Sequence, residues 1–235
     1  MDLAIDIREE EKSKEKFYKS TFGKISKHRR QKILNVAISE FAANGYTATN
    51  INIISKKAGV SIGSMYSYFD SKESLFLTVV DECFHILEKA LEEIDINEGD
   101  FFHTFEKLLR IAKDYALIYP EINQIYINIT TQSLSSFADK LSFKLESITA
   151  NLYCEAIEKA RKDGIITSDM DKKILSFCLD NLIIMFQFSF ASDYYKERMK
   201  VFLGSETVDD TEKVIQGILN FVRNSLSITQ KSKEN

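Results

Sequence analysis

The stretch from Thr49 to Lys72 constrains the fold more than any other part of the chain, because it predicts a helix, a tight turn and a second helix in immediate succession. Asn50 can cap the first helix, since its side-chain oxygen can accept from a free backbone N–H of the first turn. Gly59 supplies the permissive backbone that a tight turn needs. Ser61 can then cap the second helix, from Ile62 to Phe69. The stretch therefore predicts a helix-turn-helix.

The second of these helices is expected to have two different faces. Met65 and Phe69, at i and i+4, point inward, while small or hydrogen-bonding side chains occupy the opposite face. Such a helix can press its N-terminal end into the major groove of DNA while its hydroxyls meet phosphates. Lys72, in the first turn of the next helix, indicates an anionic partner such as a phosphate. The predicted DNA-binding residues are Thr49, Asn50, Ser61, Ile62, Gly63, Ser64, Tyr66, Ser67, Tyr68 and Lys72.

The whole chain favours an all-α fold. Its 235 residues include 8 Gly and 1 Pro, and Leu, Ile, Lys, Glu and Ala recur at helical spacing. We expect an N-terminal three-helix bundle that contains the helix-turn-helix, followed by a larger C-terminal helical domain. The expected boundaries are an N-terminal arm at 1–25, the helix-turn-helix domain at 26–72 and the C-terminal domain at 73–235.

The net charge of −4 is unevenly distributed along the chain. Residues 1–72 hold 13 Lys+Arg against 8 Asp+Glu, whereas residues 73–235 hold 18 against 27. The basic part contains the helix-turn-helix, as expected if one domain meets phosphates and the other does not. The basic segment from Lys16 to Arg30 could reach along a DNA groove or the DNA backbone, or it could be a solvated tail.

Many residues in the first third of the chain match a family pattern in register and without a gap: Ile33, Ala37, Phe41, Gly45, Tyr46, Thr49, Ile54, Ala58, Gly59, Val60, Ser61, Gly63, Tyr66, Tyr68, Phe69, Lys72 and Leu75. On these residues the chain resembles the tetracycline-repressor (TetR) family of bacterial transcription regulators. Ser55 is a departure, since the family usually has alanine there. The resemblance implies a DNA-binding regulator whose C-terminal domain binds a small molecule and forms a homodimer through the last two helices. It also implies that the helix from Ser71 to about Ile94 links the two domains.

The C-terminal part contains many aromatic residues, which could line an apolar cavity that tyrosine hydroxyls make selective. Aromatic residues at helical spacing are also typical of an ordinary core, so both interpretations stay open. The existence of a cavity rests mainly on the family resemblance. The predicted ligand-binding residues are Phe102, Phe105, Leu109, Tyr119, Tyr126, Phe137, Leu141, Tyr153, Phe177 and Phe186.

Segment 174–191 is apolar on nearly all sides, so it is expected either at the centre of the core or in a subunit interface. Gly217, inside the last helix, favours the interface because it permits close approach of another helix. The expected N-terminal caps of the last two helices are Ser168 or Asp169 for one, and a capping box of Thr207 with Asp210 for the other.

No catalytic, metal or cofactor site is predicted. His85 lies two residues from Cys83, but side chains at i and i+2 point to different faces of a helix and no fourth ligand is evident. The sequence contains no catalytic triad pattern, phosphate-cradling glycine loop or zinc-protease motif. With three cysteines in no paired spacing, no signal peptide and no apolar run near 18 residues, we expect a reduced cytoplasmic protein without membrane insertion.

These observations together predict a homodimeric repressor that leaves a palindromic DNA operator when a small hydrophobic effector binds the C-terminal domain. One alternative is a helical interaction or scaffold factor whose helix-turn-helix docks a protein. Another is a helical bundle that carries a ligand or catalyses a reaction. The salt dependence of binding separates DNA recognition from an apolar protein contact.

Overall fold

The computed structural model of the protein describes residues 16–131 and 135–227, and the side chains of residues 130–145 lie outside this description. Within the described ranges the chain forms helices and no strand, which confirms the all-α prediction. The chain divides into two compact units, and the boundary follows Glu82.

The first unit contains the helix-turn-helix. Gly45, with φ of 69° and ψ of 175°, interrupts its longest helix. The fifth helix begins in this unit and continues past the boundary. The helices are α1 (Ser20–Lys24), α2 (Lys27–Ala48), α3 (Ile51–Ala58), α4 (Ile62–Tyr68) and α5 (Lys72–Leu91).

Apolar residues from neighbouring helices pack into the interior of this unit. The ring of Phe41 on α2 meets the ring of Phe76 on α5 edge-on, with centroids 5.0 Å apart. Ile54 on α3 and Met65 on α4 are almost completely shielded from solvent. The hydrophobic spacing along these helices therefore determines which side of each helix faces the core.

The second unit is a larger helical assembly. Its helix α6 packs against α7, α8, α9 and α12, so α6 lies at the centre of the packing. Residues from these helices form one hydrophobic core that includes Leu109, Ile157, Leu179 and Ile215. The helices are α6 (Phe101–Ile118), α7 (Pro120–Thr131), α8 (Ser135–Lys162), α9 (Lys172–Ala191), α10 (Asp193–Leu203), α11 (Ser205–Asp209) and α12 (Thr211–Leu226).

Two predicted helix starts in this unit were wrong. Asp171, rather than Ser168 or Asp169, caps α9, because its carboxylate accepts from the backbone N–H groups of Lys173 at 2.9 Å and Ile174 at 3.1 Å. Asp210 itself caps α12 by accepting from the N–H of Lys213, and Thr207 lies in the short helix α11 instead of forming a capping box.

The apolar segment 174–191 and the segment that follows it form two separate helices. Ser192 adopts an extended backbone, with φ of −139° and ψ of 127°, which ends α9 and begins α10. Helix α10 contains no buried residue.

Helix α9 is long and apolar enough to cross a membrane by length and composition alone, and it is the one such helix in the described part of the chain. The expectation that no apolar run of this length exists was therefore wrong. Leu175, Leu179 and Ile183 of α9 pack into the hydrophobic core of the second unit. A core helix of a folded protein passes the same test of length and composition.

Candidate nucleic-acid interface and effector site

The turn between α3 and α4 has the geometry that the sequence predicts. Gly59 adopts a left-handed conformation, with φ of 73° and ψ of 37°, and its N–H reaches the carbonyls of Ser55 and Lys56. The N–H of Val60 also donates to the carbonyl of Ser55, at 3.0 Å. The last carbonyls of α3 are thereby satisfied while the chain reverses direction.

Both helices of the motif are capped as expected. The Asn50 side chain accepts from the N–H of Asn52 at 2.8 Å, and the Ser61 hydroxyl oxygen accepts from the N–H of Ser64 at 3.0 Å. The Ser61 and Ser64 hydroxyls also lie 2.9 Å apart. This hydrogen bonding fixes the N-terminal end of α4, which is the end predicted to enter a DNA groove.

One face of α4 is open to solvent. Met65 and Phe69 are buried beneath it. A Cβ added at Gly63 would meet only the Ser61 hydroxyl, at 3.9 Å, so the backbone at Gly63 is accessible from outside. The side chains and backbone positions on the exposed face are Ser61, Ile62, Gly63, Tyr66 and Ser67, with Ser64 half-buried beside them.

Two residues predicted to lie on this surface are in the interior instead. Tyr68 is 7% exposed, and its ring lies 5.6 Å from the ring of Phe22 on α1. Thr49 is 4% exposed, and its hydroxyl donates to the carbonyls of Glu40 and Gly45. The prediction of a surface position was therefore wrong for both residues, because each side chain is used to hold the domain together.

Lys72 also has a role inside the domain. Its ammonium donates to the carbonyls of Thr47 at 3.0 Å and Thr49 at 3.2 Å, and it lies 4.7 Å from the centre of the Tyr46 ring. These interactions tie the start of α5 to the segment that precedes α3. The lysine is thus explained by carbonyl acceptors within the chain, although the sequence indicated an anionic partner outside it.

The surface around the motif is strongly basic. Residues 16–72 contain ten Lys+Arg and two Asp+Glu. Lys27, Arg29, Lys32 and Lys56 are exposed in this unit, so their charges are available to an anionic partner. Lys57 is partly compensated, since its ammonium lies 2.5 Å from the Glu40 carboxylate. The charge asymmetry along the sequence indicated this surface, but the individual lysines carried no recognisable motif.

In the second unit, five of the predicted ligand-binding residues lie together in the hydrophobic core. They are Phe102, Phe105, Leu109, Tyr153 and Phe186. Phe177 is 70% exposed and Tyr119 is also exposed, so the prediction that both line an interior cavity was wrong. Phe137 and Leu141 belong to the segment whose side chains lie outside the described structure.

A polar cluster joins α7, α8 and α9 next to this core. The Tyr126 hydroxyl donates to the Glu146 carboxylate at 2.7 Å, and the Tyr126 ring lies 5.7 Å from that of Phe188. Burial raises the pKa of Glu146. Burial, with the nearby charge of Glu146, raises the pKa of Asp180 to about 6. The sequence prediction included Tyr126 but missed both carboxylates, because nothing in their local sequence distinguishes them from surface acids.

A second polar contact lies between α7 and α9. The Gln187 amide donates to the Asn123 side-chain oxygen at 2.5 Å, and the Asn123 amide donates to the carbonyl of Tyr119 at 3.1 Å. Asn123 is almost completely buried. The interior between these helices therefore contains fixed hydrogen-bonding groups as well as apolar rings, which is the composition typical of a selective small-molecule site.

His85 and Cys83, which were considered for a metal site, have other surroundings in the structure. The His85 imidazole Nδ1 lies 3.0 Å from the Glu88 carboxylate, and Cys83 is buried. Among the described residues, no three His, Cys, Asp or Glu side chains come together as metal ligands would.

The fold and the exposed face of α4 define a helix-turn-helix protein of the all-α class. Residues 33–79 match the family of bacterial regulatory proteins named tetR. The biofilm operon negative regulator IcaR of Staphylococcus epidermidis is 25% identical over 133 residues, which is 55% of this chain and 68% of that protein. Residues 33–79 therefore carry the helix-turn-helix domain of the TetR family of bacterial regulators.

Solved structures show the same fold. A TetR-family regulator from Chloroflexus aurantiacus superposes with a TM-score of 0.66 at 20% identity, covering 89% of this chain and 98% of that one. FadR from Bacillus subtilis, crystallised with stearoyl-CoA, gives a TM-score of 0.62 at 18% identity, covering 85% and 99%. These likenesses show that the chain has the fold of these regulators.

Proposed function

We propose that this protein is a dimeric, cytoplasmic repressor that binds a palindromic DNA operator and releases it when a small molecule binds the second unit. The observation that carries the proposal is the exposed, capped face of α4 within a strongly basic unit. IcaR, which the chain resembles, is named as a negative regulator.

The DNA contacts are assigned to the exposed part of α4 and the lysines around it. Ser61 and Ser64 offer hydroxyls at the N-terminal end, and Tyr66 offers a phenol further along the same face. The exposed backbone at Gly63 allows close approach of the DNA. Such a surface uses hydroxyls and lysines for phosphates and the end of the helix for base edges. Thr49 and Tyr68 act from the interior by fixing the helices that present this face.

The dimer interface is assigned to the outward faces of α9 and α12. Phe177 on α9 is 70% exposed and Phe221 on α12 is 62% exposed. Both helices also contribute buried residues to the core. Each helix therefore has one apolar face in the core and a second apolar face towards solvent. Exposed rings on helices anchored in this way are typical of a subunit interface. Under this proposal, segment 174–191 has both roles that the sequence suggested, one face in the core and the other in the interface.

The effector is assigned to the region where Tyr126, Glu146 and Asp180 meet the apolar core. FadR of Bacillus subtilis, which has the same fold, was crystallised with stearoyl-CoA, a molecule with a long apolar chain. In the present protein the core supplies apolar contacts, and the cluster supplies a hydroxyl and two carboxylates. An amphipathic effector fits this combination better than a purely apolar one.

Helix α5 is the element proposed to couple the two sites. It is one continuous helix from Lys72 to Leu91, and the boundary between the two units falls within it. Lys72 ties its first turn to the carbonyls of Thr47 and Thr49 just before α3. Displacement of α5 would therefore be transmitted directly to the helix-turn-helix. A preference of about 3 kcal/mol of the effector for the displaced state lowers operator affinity on the order of a hundredfold.

The first test measures the affinity of full-length protein for DNA at increasing salt concentration. Neutralisation of several phosphates predicts a linear fall of log affinity with log salt. An affinity that does not depend on salt would contradict DNA recognition by this basic surface and would favour a protein-docking role for the motif.

The second test concerns the effector. Amphipathic compounds that raise the melting temperature of the protein are titrated against the protein–operator complex. We expect at least one such compound to release the DNA, and we expect Tyr126→Phe to weaken its binding. If every compound that saturates the second unit leaves operator affinity unchanged, the proposed coupling is wrong.

A further inference from the structure

The C-terminal end of α4 is held by a segment that precedes the helix-turn-helix in the sequence. The carbonyls of the last helical turn have no partners within a helix and need hydrogen-bond donors from elsewhere. The Lys19 ammonium donates to the carbonyl of Tyr66 at 2.9 Å, and the Thr21 hydroxyl donates to that of Ser67. The backbone N–H of Lys19 donates to the carbonyl of Tyr68 at 2.8 Å. Three consecutive carbonyls of α4 are thus satisfied by two residues of the N-terminal segment.

Apolar packing reinforces these hydrogen bonds. Phe22 on α1 is 1% exposed, and its ring lies 4.7 Å from that of Phe69 at the end of α4. The ring of Tyr18 lies edge-on to Phe22 at 5.2 Å. The burial of Phe22 also explains why Tyr68 is an interior residue, since the two rings are in contact.

The charge of Lys19 also stabilises the C-terminal end of α4. The Lys19 ammonium lies at the C-terminal end of α4, where a positive charge stabilises the helix dipole. It also pairs with the Asp70 carboxylate at 2.8 Å, immediately after the helix. The charge of Lys19 is therefore engaged within the domain, and it differs in this respect from the exposed lysines nearby.

The segment is anchored on its other side as well. The Arg30 guanidinium on α2 donates to the carbonyls of Gly23 at 2.9 Å and Ile25 at 3.0 Å, which follow the middle of α1. Arg30 thus fixes the end of α1 to α2. The segment Lys19–Lys24 connects the longest helix of the unit to the end of α4.

We propose that the segment Lys19–Lys24 is a brace that holds α4 in its DNA-reading position, and that Lys19 and Thr21 are its positioning residues. The proposal rests on the proposed function of α4. A helix of seven residues is too short to be stable alone, and α4 has no glycine cap at its C-terminal end. The brace supplies the missing cap from a distant part of the sequence. It replaces the expectation that this basic segment either reaches along the DNA or is a solvated tail.

The test compares four variants of the full-length protein. Lys19→Met and Thr21→Val remove the hydrogen bonds to α4, and Thr21→Ser keeps the hydroxyl. Lys24→Met is the matched control, because Lys24 is an exposed lysine of α1 without a hydrogen bond or ion pair to the described residues. Hydrogen exchange measured by mass spectrometry follows the peptide that covers α4 in the free protein, and DNA binding is measured at several salt concentrations.

We expect exchange of α4 to be about tenfold faster or more in Lys19→Met and Thr21→Val, while peptides of α2 remain protected. Thr21→Ser and Lys24→Met should exchange as the original protein does. Operator affinity should fall in the same order. The salt slope should stay unchanged for Lys19→Met, because Lys19 is not a phosphate contact, whereas loss of one phosphate contact reduces the slope by about 1.

Unchanged exchange of α4 in both Lys19→Met and Thr21→Val would overturn the brace. A reduced salt slope for Lys19→Met with normal exchange would overturn it too, and would make Lys19 a phosphate contact. If the original protein binds no DNA sequence tightly, the proposed function fails, and the exchange comparison still decides whether the segment holds α4.

Discussion

The hydroxyl of Tyr126 on α7 donates a 2.7 Å hydrogen bond to the carboxylate of Glu146 on α8. Burial raises the pKa of both groups. The hydrogen bond is favourable because the neutral phenol is the donor and the carboxylate is the acceptor. This bond connects two helices of the second unit at the edge of its hydrophobic core. It is therefore a site where stability and ligand recognition can be tested together.

Tyr126→Phe should destabilise the second unit. The substitution keeps the ring but leaves the Glu146 carboxylate without its donor in a partly buried position, which costs on the order of 1–3 kcal/mol. The measurement is the free energy of unfolding from urea titration. Tyr194→Phe, on the exposed helix α10, is the matched control and should change little. Equal stability of Tyr126→Phe and the original protein would show that water replaces the hydroxyl.

Asp180→Asn should stabilise the protein in a pH-dependent way. The folded-state pKa of Asp180 is about 6, above the ordinary value of 3.8, because burial and the neighbouring Glu146 disfavour its ionised form. Below the ordinary pKa, Asp180 is protonated in both the folded and the unfolded state, so it does not lower the free energy of unfolding. As the pH rises towards 6, Asp180 ionises first in the unfolded state, and the free energy of unfolding falls. Above that pH the loss of stability stays constant.

The free energies of unfolding of Asp180→Asn and the original protein should therefore converge near pH 4. The difference in the free energy of unfolding should grow between about pH 4 and 6 and then level off on the order of 3 kcal/mol. Asp169→Asn, at an exposed position, serves as the control. A difference that is the same at pH 4 and pH 7 would contradict the raised pKa of Asp180.

Gly63→Ala should separate stability from DNA binding. The new methyl group meets only the Ser61 hydroxyl at an ordinary distance, so the free protein should gain about 0.5–1 kcal/mol from the better helix former. The same methyl group lies on the face assigned to DNA, so operator affinity should fall. Thermal melting and fluorescence anisotropy measure the two effects. Increased stability with unchanged affinity would remove Gly63 from the DNA interface.

Phe221→Glu should dissociate the dimer. Phe221 is largely exposed on α12, so the substitution leaves the fold of one subunit intact but places a charge in the proposed interface, at a cost of several kcal/mol. Ile218, on the same helix, is half-buried and packs against the core, so its replacement would also damage the fold. Sedimentation velocity at micromolar concentration checks the outcome.

Val201→Glu is the control for that experiment, because Val201 is a highly exposed apolar residue on α10, outside the proposed interface. It should sediment as the original protein does. If Phe221→Glu remains dimeric, or if both variants dissociate equally, the interface does not consist of the outward faces of α9 and α12.

Local features of the site were predictable from sequence, whereas features that depend on distant segments were not. Asn50, Gly59 and Ser61 act on residues two to four positions away, so their caps and the turn follow from the local pattern. Tyr68 was placed on the wrong face because its burial depends on Phe22, which arrives from α1. Lys72 was assigned to an outside partner because its acceptors precede α3 in the chain.

In the second unit, too, the sequence predicts local features better than features that depend on distant segments. Phe105 and Leu109, which the sequence assigned to a ligand site, lie in the hydrophobic core, because a regular pattern selects one face of α6. Helical spacing did not distinguish Phe177, since α9 is apolar on nearly all sides and only its packing shows which residues remain exposed. Glu146 and Asp180 come from different helices, and their shared environment exists only in the folded protein.

The measurement that tests the account most directly is in vitro selection of randomised double-stranded DNA by the full-length protein. A dimer that presents two copies of α4 should enrich an inverted repeat whose half-sites lie about one helical turn, roughly 34–36 Å, apart or a multiple of it. The enriched sequence should bind more weakly to Gly63→Ala than to the original protein. Recovery of no common sequence, or of a site without two-fold symmetry, would contradict a dimeric repressor that reads DNA through α4.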